Sequence, residues 1–257
     1  MSTPITEIAL VLEDGSVFEG EAIGHAPGNG IAAGEVVFNT TMTGYQEVVS
    51  DPSYAGQIIT FTTSHIGNYG ATRVDNESRG TFARGVVVRD LARRRSNWRS
   101  EQDLDAMLRA HELPGIAGLD TRRLTRLLRD SGSLRGAFGT ADQSALLAAA
   151  RAESGTSGID LVSQVTTDEP YTYGDGRFRV VAYDFGIKTT ILRCLAEMAT
   201  VTVVPASTPA EEILAMSPQG VFLSNGPGDP EMVAGATGNI RGIVEAGVPT
   251  FGICLGH

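Results

Sequence analysis

The chain has 257 residues, of which 42% are hydrophobic and 19% charged, and its formal net charge is −10. This length and composition predict a globular protein with room for two domains, and they exclude a disordered tail. The negative charge repels phosphate backbones and anionic lipid, so we expect neither nucleic acid nor a membrane as a partner.

Targeting signals, metal sites and nucleotide loops are not expected from the sequence. The start, MSTPITEIALVLEDG, is acidic where a signal peptide needs a basic and then an apolar stretch, and no run of residues is long enough for a membrane span. Two cysteines and four histidines show neither a disulfide framework nor zinc-ligand spacing. The single lysine, Lys188, follows Ile187, whereas a phosphate-binding P-loop needs Gly-Lys-Ser/Thr. These features predict a cytoplasmic protein without a metal.

From Ile8 to about Arg89 the chain consists of short apolar runs separated by Gly, Asn, Asp and Pro. The runs are IALVL, GEVVFNT, QIITFT and GVVVRD. Their length and their bounding turn residues are typical of β-strands, so this part is expected to be mainly β. The arginines that follow, Arg93–Arg95, are interpreted as a solvated or partner-contacting face, because the net charge disfavours nucleic acid.

Three helices are predicted after these strands. The apolar positions at helical spacing are Leu104, Met107 and Leu108 in the first helix and Leu124, Leu127 and Leu128 in the second. Asp120 is the expected N-cap of the second helix, and the Ala- and Leu-rich stretch from Ser144 to Ala152 forms the third. A first domain is therefore expected at 1–152, followed by a polar linker at 153–177.

Buried strands and helices alternate from residue 178 to 257. The segments RVVAYDF, TVTVVPA, GVFL and VPTFG predict strands, and helices are expected between them, one starting with Thr208 as N-cap, Pro209 as N1 and Glu211 in a capping box. This rhythm indicates a parallel sheet covered on both faces, with ligands bound at the carboxyl ends of the strands. Cys194, in the first of these helices, is interpreted as a small buried apolar residue.

The segment Gly252-Ile253-Cys254-Leu255-Gly256 has the form of a cysteine nucleophile elbow. Its small flanking residues permit a strained turn that exposes the sulfur after a buried strand. Backbone N–H groups at such a turn favour a thiolate and can hold an oxyanion. The alternative interpretation is that Cys254 is a small buried residue at the end of a strand.

A second candidate element is the loop SNGPGDP, residues 224–230. Its glycines allow the backbone to approach a ligand closely, although an ordinary turn after a strand has the same composition. Because one crossover separates this loop from the elbow, the two are expected to be neighbours at one edge of a parallel sheet. An oxyanion hole could then take one N–H from each.

These two motifs together resemble the signature of class I, cysteine-dependent glutamine amidotransferases. The N-terminal motifs resemble the small, glutaminase chain of carbamoyl-phosphate synthase, and so do IDLVSQVTT and VVAYDFGIK. Those N-terminal motifs are GEVVFNTTMTGYQEVVSDPSYAGQIITFT, HIGNYG, RDLARRRSNWR and GIAGLDTRRLTRLLRDSG. The resemblance covers residues 6–257 in family order. It implies an α/β fold with a β-rich N-terminal docking domain and an incomplete flavodoxin-like parallel α/β amidotransferase domain, truncated just after the elbow.

The resemblance also implies a reaction, partners and site residues. Cys254 would attack the side-chain amide of glutamine, and ammonia would pass to a large synthetase chain in a heterodimer. The large chain would hold ATP and Mg and make carbamoyl phosphate for arginine or pyrimidine biosynthesis, and this chain itself would need no cofactor. Ser53 would contact glutamine from the N-terminal domain, Gly226 and Gly228 would line the glutamine pocket, and Leu255 would supply an oxyanion N–H.

The resemblance implies a general base that lies beyond the elbow, a His oriented by a Glu. Among the histidines of this sequence, His257 belongs to the elbow motif. The other three, His25, His65 and His111, do not stand in a recognisable catalytic context. We therefore expect negligible glutaminase activity from these 257 residues alone. The alternatives are a non-catalytic docking or scaffold protein that binds the large chain, another class I amidotransferase, and a cysteine hydrolase unrelated to glutamine.

Overall fold

The computed structural model describes residues 6–257, and these form two compact units. The first unit comprises the described part of Met1–Ser50 together with Gly56–Gly155. The second comprises Asp51–Ala55 and Thr156–His257, so a short N-terminal segment is part of the C-terminal unit. None of the described helices is long and apolar enough to cross a membrane.

The described part of the first unit contains nine strands and four α-helices. The strands are β1 (Glu7–Leu12), β2 (Val17–Gly24), β3 (Ile31–Asn39), β4 (Gln57–Phe61), β5 (His65–Ile66), β6 (Gly85–Val88), β7 (Asp90–Leu91), β8 (Pro114–Ala117) and β9 (Leu134–Gly139). The helices are α1 (Tyr45–Val49), α2 (Leu104–Ala110), α3 (Thr121–Ser131) and α4 (Gln143–Ala152), and a 3-10 turn spans Arg73–Asp75.

Seven of these strands close into a barrel in the order β1-β2-β8-β6-β4-β3-β9. The pairs β3/β4, β4/β6 and β6/β8 are parallel, and the other pairs are antiparallel. Strands β5 and β7 pair with each other as a separate parallel ribbon. Because the barrel is closed, it has no unpaired edge strand. An unpaired edge strand is the part of a sheet to which another strand can add.

The barrel core follows the period-2 alternation of its strands. On β1, Leu10 and Leu12 join the main apolar cluster, while Val11 packs with Leu146 and Ala150 of α4 on the other face. The main cluster draws one or more residues from each of the seven barrel strands. It includes Phe138, whose ring fills the space beside Gly85, where an added Cβ would lie 2.5 Å from its Cζ. The glycine in β6 is therefore a packing requirement.

The three predicted helices of this unit are present, and Asp120 is the N-cap of α3 through a bond of 2.9 Å from the Arg123 amide. Leu124 and Leu128 are buried in the main cluster, and Leu127 packs against it. Strands β1, β3, β4 and β6 were also predicted. The sequence patterns did not reveal α1, β2, β8 or β9.

A small polar cavity of about 220 Å³ lies beside α1 and is lined by Glu47, Tyr69, Asp75 and Arg99 among others. The Glu47 Oε2 atom is buried and has no hydrogen-bond partner among the described residues. Burial raises the pKa of Glu47, and the carboxylates of Asp75 and Glu77 raise it further, against a lowering by the backbone and by Arg99. The folded protein therefore disfavours the ionised form of Glu47.

This raised pKa predicts that Glu47→Gln stabilises the protein at pH 7. The stability associated with Glu47 is fully present below its unfolded-state pKa, about 4.3, and is lost as the pH rises through the higher folded value. The amide keeps the shape and removes the charge, so the melting temperature should rise at pH 7 and the difference should shrink towards pH 4.

The matched control for this prediction is Glu101→Gln. The Arg73 amide donates a hydrogen bond of 3.0 Å to Glu101 and lowers its pKa, so neutralising this carboxylate should give no gain at pH 7. An unchanged or lower melting temperature for Glu47→Gln at pH 7 would contradict the conclusion that the fold disfavours the ionised Glu47 carboxylate.

The second unit is built on a five-stranded sheet in the order β10-β12-β11-β13-β14. Its strands are β10 (Tyr171–Tyr173), β11 (Phe178–Asp184), β12 (Ala199–Pro205), β13 (Gly220–Leu223) and β14 (Thr250–Gly252). Its helices are α5 (Val162–Val165), α6 (Thr189–Ala196), α7 (Ala210–Ala215) and α8 (Ala236–Glu245). Short 3-10 turns span Pro52–Tyr54, Pro230–Met232 and Cys254–Gly256.

Strands β12, β11, β13 and β14 are mutually parallel, as the alternation of strands and helices predicts. Both faces are covered: Val181 and Leu223 pack in one cluster with Ile213 of α7 and Ile243 of α8, and Phe222 packs in another with Leu192 of α6 and its neighbours. The fold is thus α/β, with a β-rich N-terminal part followed by a parallel α/β unit.

Three details of the second unit differ from the sequence-based expectation. The segment expected as a polar linker, 153–177, contains α5 with buried Val162 and also β10, which pairs antiparallel with β12. Helix α7 has Pro209 at its N-cap position without a side-chain cap, whereas Thr208 is buried and its carbonyl accepts a bond of 2.7 Å from the Tyr183 hydroxyl. Cys194 is exposed, because α6 turns Leu192 towards the sheet instead.

Candidate active site

The candidate site lies at the carboxyl ends of β13 and β14. These strands pair in parallel register, with Leu223 opposite Gly252, so the turns that follow them meet. The Ile253 amide donates to the Leu223 carbonyl and the Gly256 amide to the Ser224 carbonyl, each at 3.1 Å. The elbow and the 224–230 loop are therefore neighbours, as the sequence predicted.

Cys254 occupies a strained and exposed position. Its φ angle is 55°, in the left-handed region that L-residues rarely adopt, and the residue begins the 3-10 turn Cys254–Gly256. The side chain is exposed, and no side-chain hydrogen bond to Cys254 is found among residues 6–257. The backbone thus presents a free thiol at the end of a strand, which is the geometry expected of a nucleophile elbow.

The two glycines of this turn are required by close packing. A Cβ atom on Gly252 would overlap the carbonyl oxygen of Gly256, and one on Gly256 would overlap the carbonyl oxygen of Leu223. The elbow therefore folds back onto its own strand and onto β13. The spacing G-x-C-x-G follows from these two contacts.

The loop after β13 is organised by two buried polar residues, Ser224 and Asn225. The Ser224 hydroxyl accepts a bond of 2.9 Å from the Phe185 amide, which ties the loop to the end of β11. Asn225 Nδ2 donates to the Gly186 carbonyl at 2.7 Å, and Asn225 Oδ1 accepts from the Lys188 amide at 3.2 Å. Two neighbouring turns are held together by one amide side chain.

The turn after β11 is ordered by Asp184, which is buried. Its Oδ1 accepts bonds from the Gly186 and Ile187 amides at 2.9 and 2.7 Å, and its Oδ2 accepts from the Thr167 amide at 2.8 Å. A carboxylate that satisfies three backbone donors makes this turn rigid. The segment FGIK is thereby fixed as one wall of the site.

Ser53 is brought to the site by a different route from the one expected. It was predicted to act from the N-terminal domain, but Asp51–Ala55 belongs to the second unit. Asn225 Nδ2 donates to Ser53 Oγ at 3.0 Å, and Asp51 Oδ1 caps the 3-10 turn by accepting from the Ser53 amide at 2.9 Å. Lys188 Nζ lies 3.3 Å from Asp51 Oδ2 and anchors the segment further.

Of the other predicted site residues, Gly226 and Leu255 are adjacent and Gly228 lies farther along the same loop. A Cβ on Gly226 would overlap the carbonyl oxygen of Phe185 and would lie 2.9 Å from Leu255 Cδ2. Gly228 has a φ of 73°, which favours glycine, and faces Leu161. The Gly226 amide has no hydrogen-bond partner among residues 6–257.

Sequence reasoning did not identify three residues that build this site: Asn225, Asp184 and Lys188. Asn225 lay inside a recognised loop, but its partners are distant in sequence. The sequence of Lys188 and its neighbours was used only to show that the motif of a P-loop does not occur there. The available signal was the position of Lys188 as the single lysine of the chain, between a predicted strand and the helix that follows it.

No group of three or more His, Cys, Asp or Glu side chains is placed to hold a metal ion in the part of the chain that the structure describes. The arrangement instead provides an exposed thiol, a nearby backbone N–H and a serine held by an amide. These are groups that attack a carbonyl carbon and stabilise the oxygen that becomes charged.

A parallel α/β unit with an exposed cysteine on a G-x-C-x-G turn places the second unit in the class of α/β proteins with a cysteine nucleophile elbow. Residues 181–257 match the family described as glutamine amidotransferase class-I. Residues 10–138 match the carbamoyl-phosphate synthase small chain, CPSase domain. The chain belongs to the carbamoyl-phosphate synthase small-chain family.

Curated relatives agree with this assignment, and each is described as carbamoyl phosphate synthase small chain. The protein from Xanthomonas campestris pv. campestris is 51% identical over 265 residues, covering 96% of this chain and 70% of the relative. That from Thioalkalivibrio sulfidiphilus is 51% identical, covering 98% and 70%, and that from Pseudomonas aeruginosa is 49% identical, covering 96% and 70%.

A search of solved structures returned a peptidase M28 precursor from Shewanella amazonensis. It covers 97% of this chain and 68% of its own, with 10% identity and a TM-score of 0.30. A score this low carries no statement about the fold.

Proposed function

We propose that this chain is the glutaminase subunit of a carbamoyl-phosphate synthase and that Cys254 is its nucleophile. The observation that carries the proposal is the position of Cys254, exposed at φ 55° on a turn in which Gly252 packs on Gly256 and Gly256 packs on Leu223 of β13. In the proposed reaction, the sulfur attacks the side-chain carbonyl carbon of glutamine, the C–N bond breaks, and ammonia leaves with a proton. Water then cleaves the γ-glutamyl thioester, which releases glutamate and restores the thiol.

The neighbouring residues have separate roles in this proposal. In the proposal the amides of Leu255 and Gly226 form the oxyanion hole. Two observations support this: Gly226 packs on the Leu255 side chain, and the Gly226 N–H has no hydrogen-bond partner among the described residues. Gly226 and Gly228 line the glutamine pocket. Ser53, held by Asn225, contacts the substrate, and the hydrogen bond between them fixes the hydroxyl before glutamine arrives.

The proposal includes a large synthetase chain as the partner in a heterodimer. That chain would bind ATP and Mg²⁺ and convert bicarbonate and the released ammonia into carbamoyl phosphate, for arginine or pyrimidine biosynthesis. Family membership supports the partnership, since the relatives are described as small chains. In this scheme the present chain holds no cofactor and works in the cytoplasm.

A thiol nucleophile also needs a general base, and within residues 6–257 no histidine is hydrogen-bonded to Cys254. We therefore propose that the 257 residues alone form the thioester slowly and turn over glutamine negligibly. Loss of a general base typically costs about 10² to 10⁴ in rate.

Labelling with a glutamine-like electrophile, such as a chloroketone analogue of glutamine, tests the role of Cys254. We expect one label per chain, blocked by excess glutamine and abolished by Cys254→Ser, with negligible steady-state release of ammonia. The matched control is Cys194→Ser, which removes the other exposed cysteine and should leave the labelling unchanged.

Two results would contradict the proposal in different ways. Labelling that glutamine does not block would point to a cysteine hydrolase unrelated to glutamine. Absence of labelling at Cys254, together with binding to the large chain and unchanged ammonia-dependent synthesis, would favour a non-catalytic docking or scaffold protein. Cys254-dependent turnover by the isolated chain would refute the predicted lack of a base.

A further inference from the structure

The first unit contains an open groove between α3 and the chain that follows β4 and β6. Its volume is about 570 Å³. Four arginines line it: Arg89, Arg122, Arg126 and Arg129. The other lining residues carry hydroxyls: Thr62, Ser64, Thr121 and Thr125. No acidic or aromatic side chain is among the lining residues, and we call this feature the arginine groove.

Most of the guanidinium groups in the arginine groove take no part in stabilising the fold. Arg89, Arg122 and Arg126 form neither an ion pair nor a side-chain hydrogen bond with any residue from 6 to 257. Arg129 pairs only with its exposed neighbour Asp130, a contact of 2.8 Å that contributes little in water. The adjacent Arg123 differs, because its guanidinium donates to the Val17 carbonyl and stacks 4.0 Å from the centre of the Phe18 ring.

One hydroxyl of the groove is also unused. Thr125 Oγ1 is buried and has no hydrogen-bond partner among the described residues. A buried polar atom without a partner is costly unless a ligand or water completes it. The groove thus combines four arginines, three of them on α3, with a hydroxyl of the same helix whose hydrogen bonding is incomplete.

The spacing of the arginines indicates the size of the ligand. Arg122, Arg126 and Arg129 stand at positions i, i+4 and i+7 of α3, on the face opposite the buried Leu124 and Leu128. Seven residues of helix rise about 10 Å, so the row is too long for one phosphate ion. Carboxylates on alternate residues of an extended peptide repeat about every 6.8 Å, and two or more fit this row.

We propose that the arginine groove docks an acidic segment, rich in Asp or Glu, of the large synthetase chain. Guanidinium groups bind carboxylates in bidentate geometry, and the threonine hydroxyls add donors between them. Nucleic acid fits less well, because single-stranded sites stack bases on aromatic side chains and this groove has none. The inference rests on the proposed partnership with a large chain.

The test measures the affinity of the large chain from the same source cells for three forms of this protein. The forms are the wild type, the double variant R122E/R126E and the control R84E/R241E, which makes the same charge change at exposed arginines outside the groove. We expect R122E/R126E to weaken binding at least about tenfold at physiological salt and R84E/R241E to weaken it less than about twofold. Melting temperatures of all three confirm folding.

A second arm identifies the chemistry with defined probes. An octaglutamate peptide should bind the wild type, lose affinity as salt rises, and compete with the large chain, whereas tripolyphosphate and a single-stranded RNA oligonucleotide should compete no better than salt of equal ionic strength.

Equal affinity of the large chain for the wild type and for R122E/R126E would overturn the docking role and leave the partnership intact. Competition by tripolyphosphate or RNA in preference to octaglutamate would overturn the choice of an acidic peptide. No binding of the large chain to the wild type would overturn both the groove and the proposed partnership. Labelling of Cys254 is independent of all three results.

Discussion

Gly226→Ala is expected to lower the free energy of unfolding by about 3 kcal/mol and to abolish labelling of Cys254 by a glutamine-like electrophile. The added methyl group would overlap the carbonyl oxygen of Phe185, which is backbone and cannot rotate away, and would press on Leu255. The 224–230 loop must therefore shift, and the amides of Gly226 and Leu255 would separate. Denaturant unfolding and labelling with mass spectrometry measure the two effects.

The matched control is Gly238→Ala in α8 of the same unit. A Cβ at this helical position meets nothing within 4 Å, so alanine should stabilise the protein by up to about 1 kcal/mol through its helix propensity. The same substitution, Gly to Ala, should thus lower the free energy of unfolding at position 226 and raise it at position 238. Normal stability and normal labelling in Gly226→Ala would refute the close packing at the site.

Asn225→Ala is expected to have the second largest effect, a loss of about 3 kcal/mol in the free energy of unfolding and labelling at least about tenfold slower. The change leaves the Gly186 carbonyl without its donor and the Lys188 amide without its acceptor, and it frees Ser53 Oγ. Slower labelling is expected because Ser53 would no longer be held in position for glutamine.

Asn239→Ala controls for the removal of an amide side chain in the same unit. Asn239 Oδ1 accepts from the Ala210 amide at 3.2 Å and its Nδ2 donates to the Thr208 carbonyl at 3.3 Å, so this variant should lose stability as well. Its labelling rate should match that of the wild type. If Asn225→Ala and Asn239→Ala affect labelling equally, Asn225 has only a structural role.

Elements with strong local signals were predictable from the sequence. Helix α3 combines an N-cap at Asp120 with leucines at helical spacing, and both features act within a few residues. Strand β6, Gly85–Val88, is buried throughout and bounded by turn residues. Such elements are stabilised by interactions that their own sequence specifies.

The missed elements depend on partners that are distant in the chain. Strand β2, VFEGEAIG, is partly exposed and contains two glutamates and two glycines, and β8 has only four residues, yet they pair with each other inside the closed barrel. Strand β10 is exposed and lies in the expected linker, and it is ordered by antiparallel pairing with β12. Their strand conformation comes from ladder hydrogen bonds, which local propensity does not reveal.

The sequence by itself determined the α/β class, the family, and the elbow and loop around Cys254, because glycines and turn residues at fixed short spacings carry that information. Only the tertiary structure decided how Ser53 reaches the site. Its hydrogen bond joins residues 172 positions apart, Ser53 and Asn225. The arginine groove likewise combines Arg89 with a row on α3. Contacts of this kind depend on how the whole chain folds back on itself, since no short-range pattern encodes them.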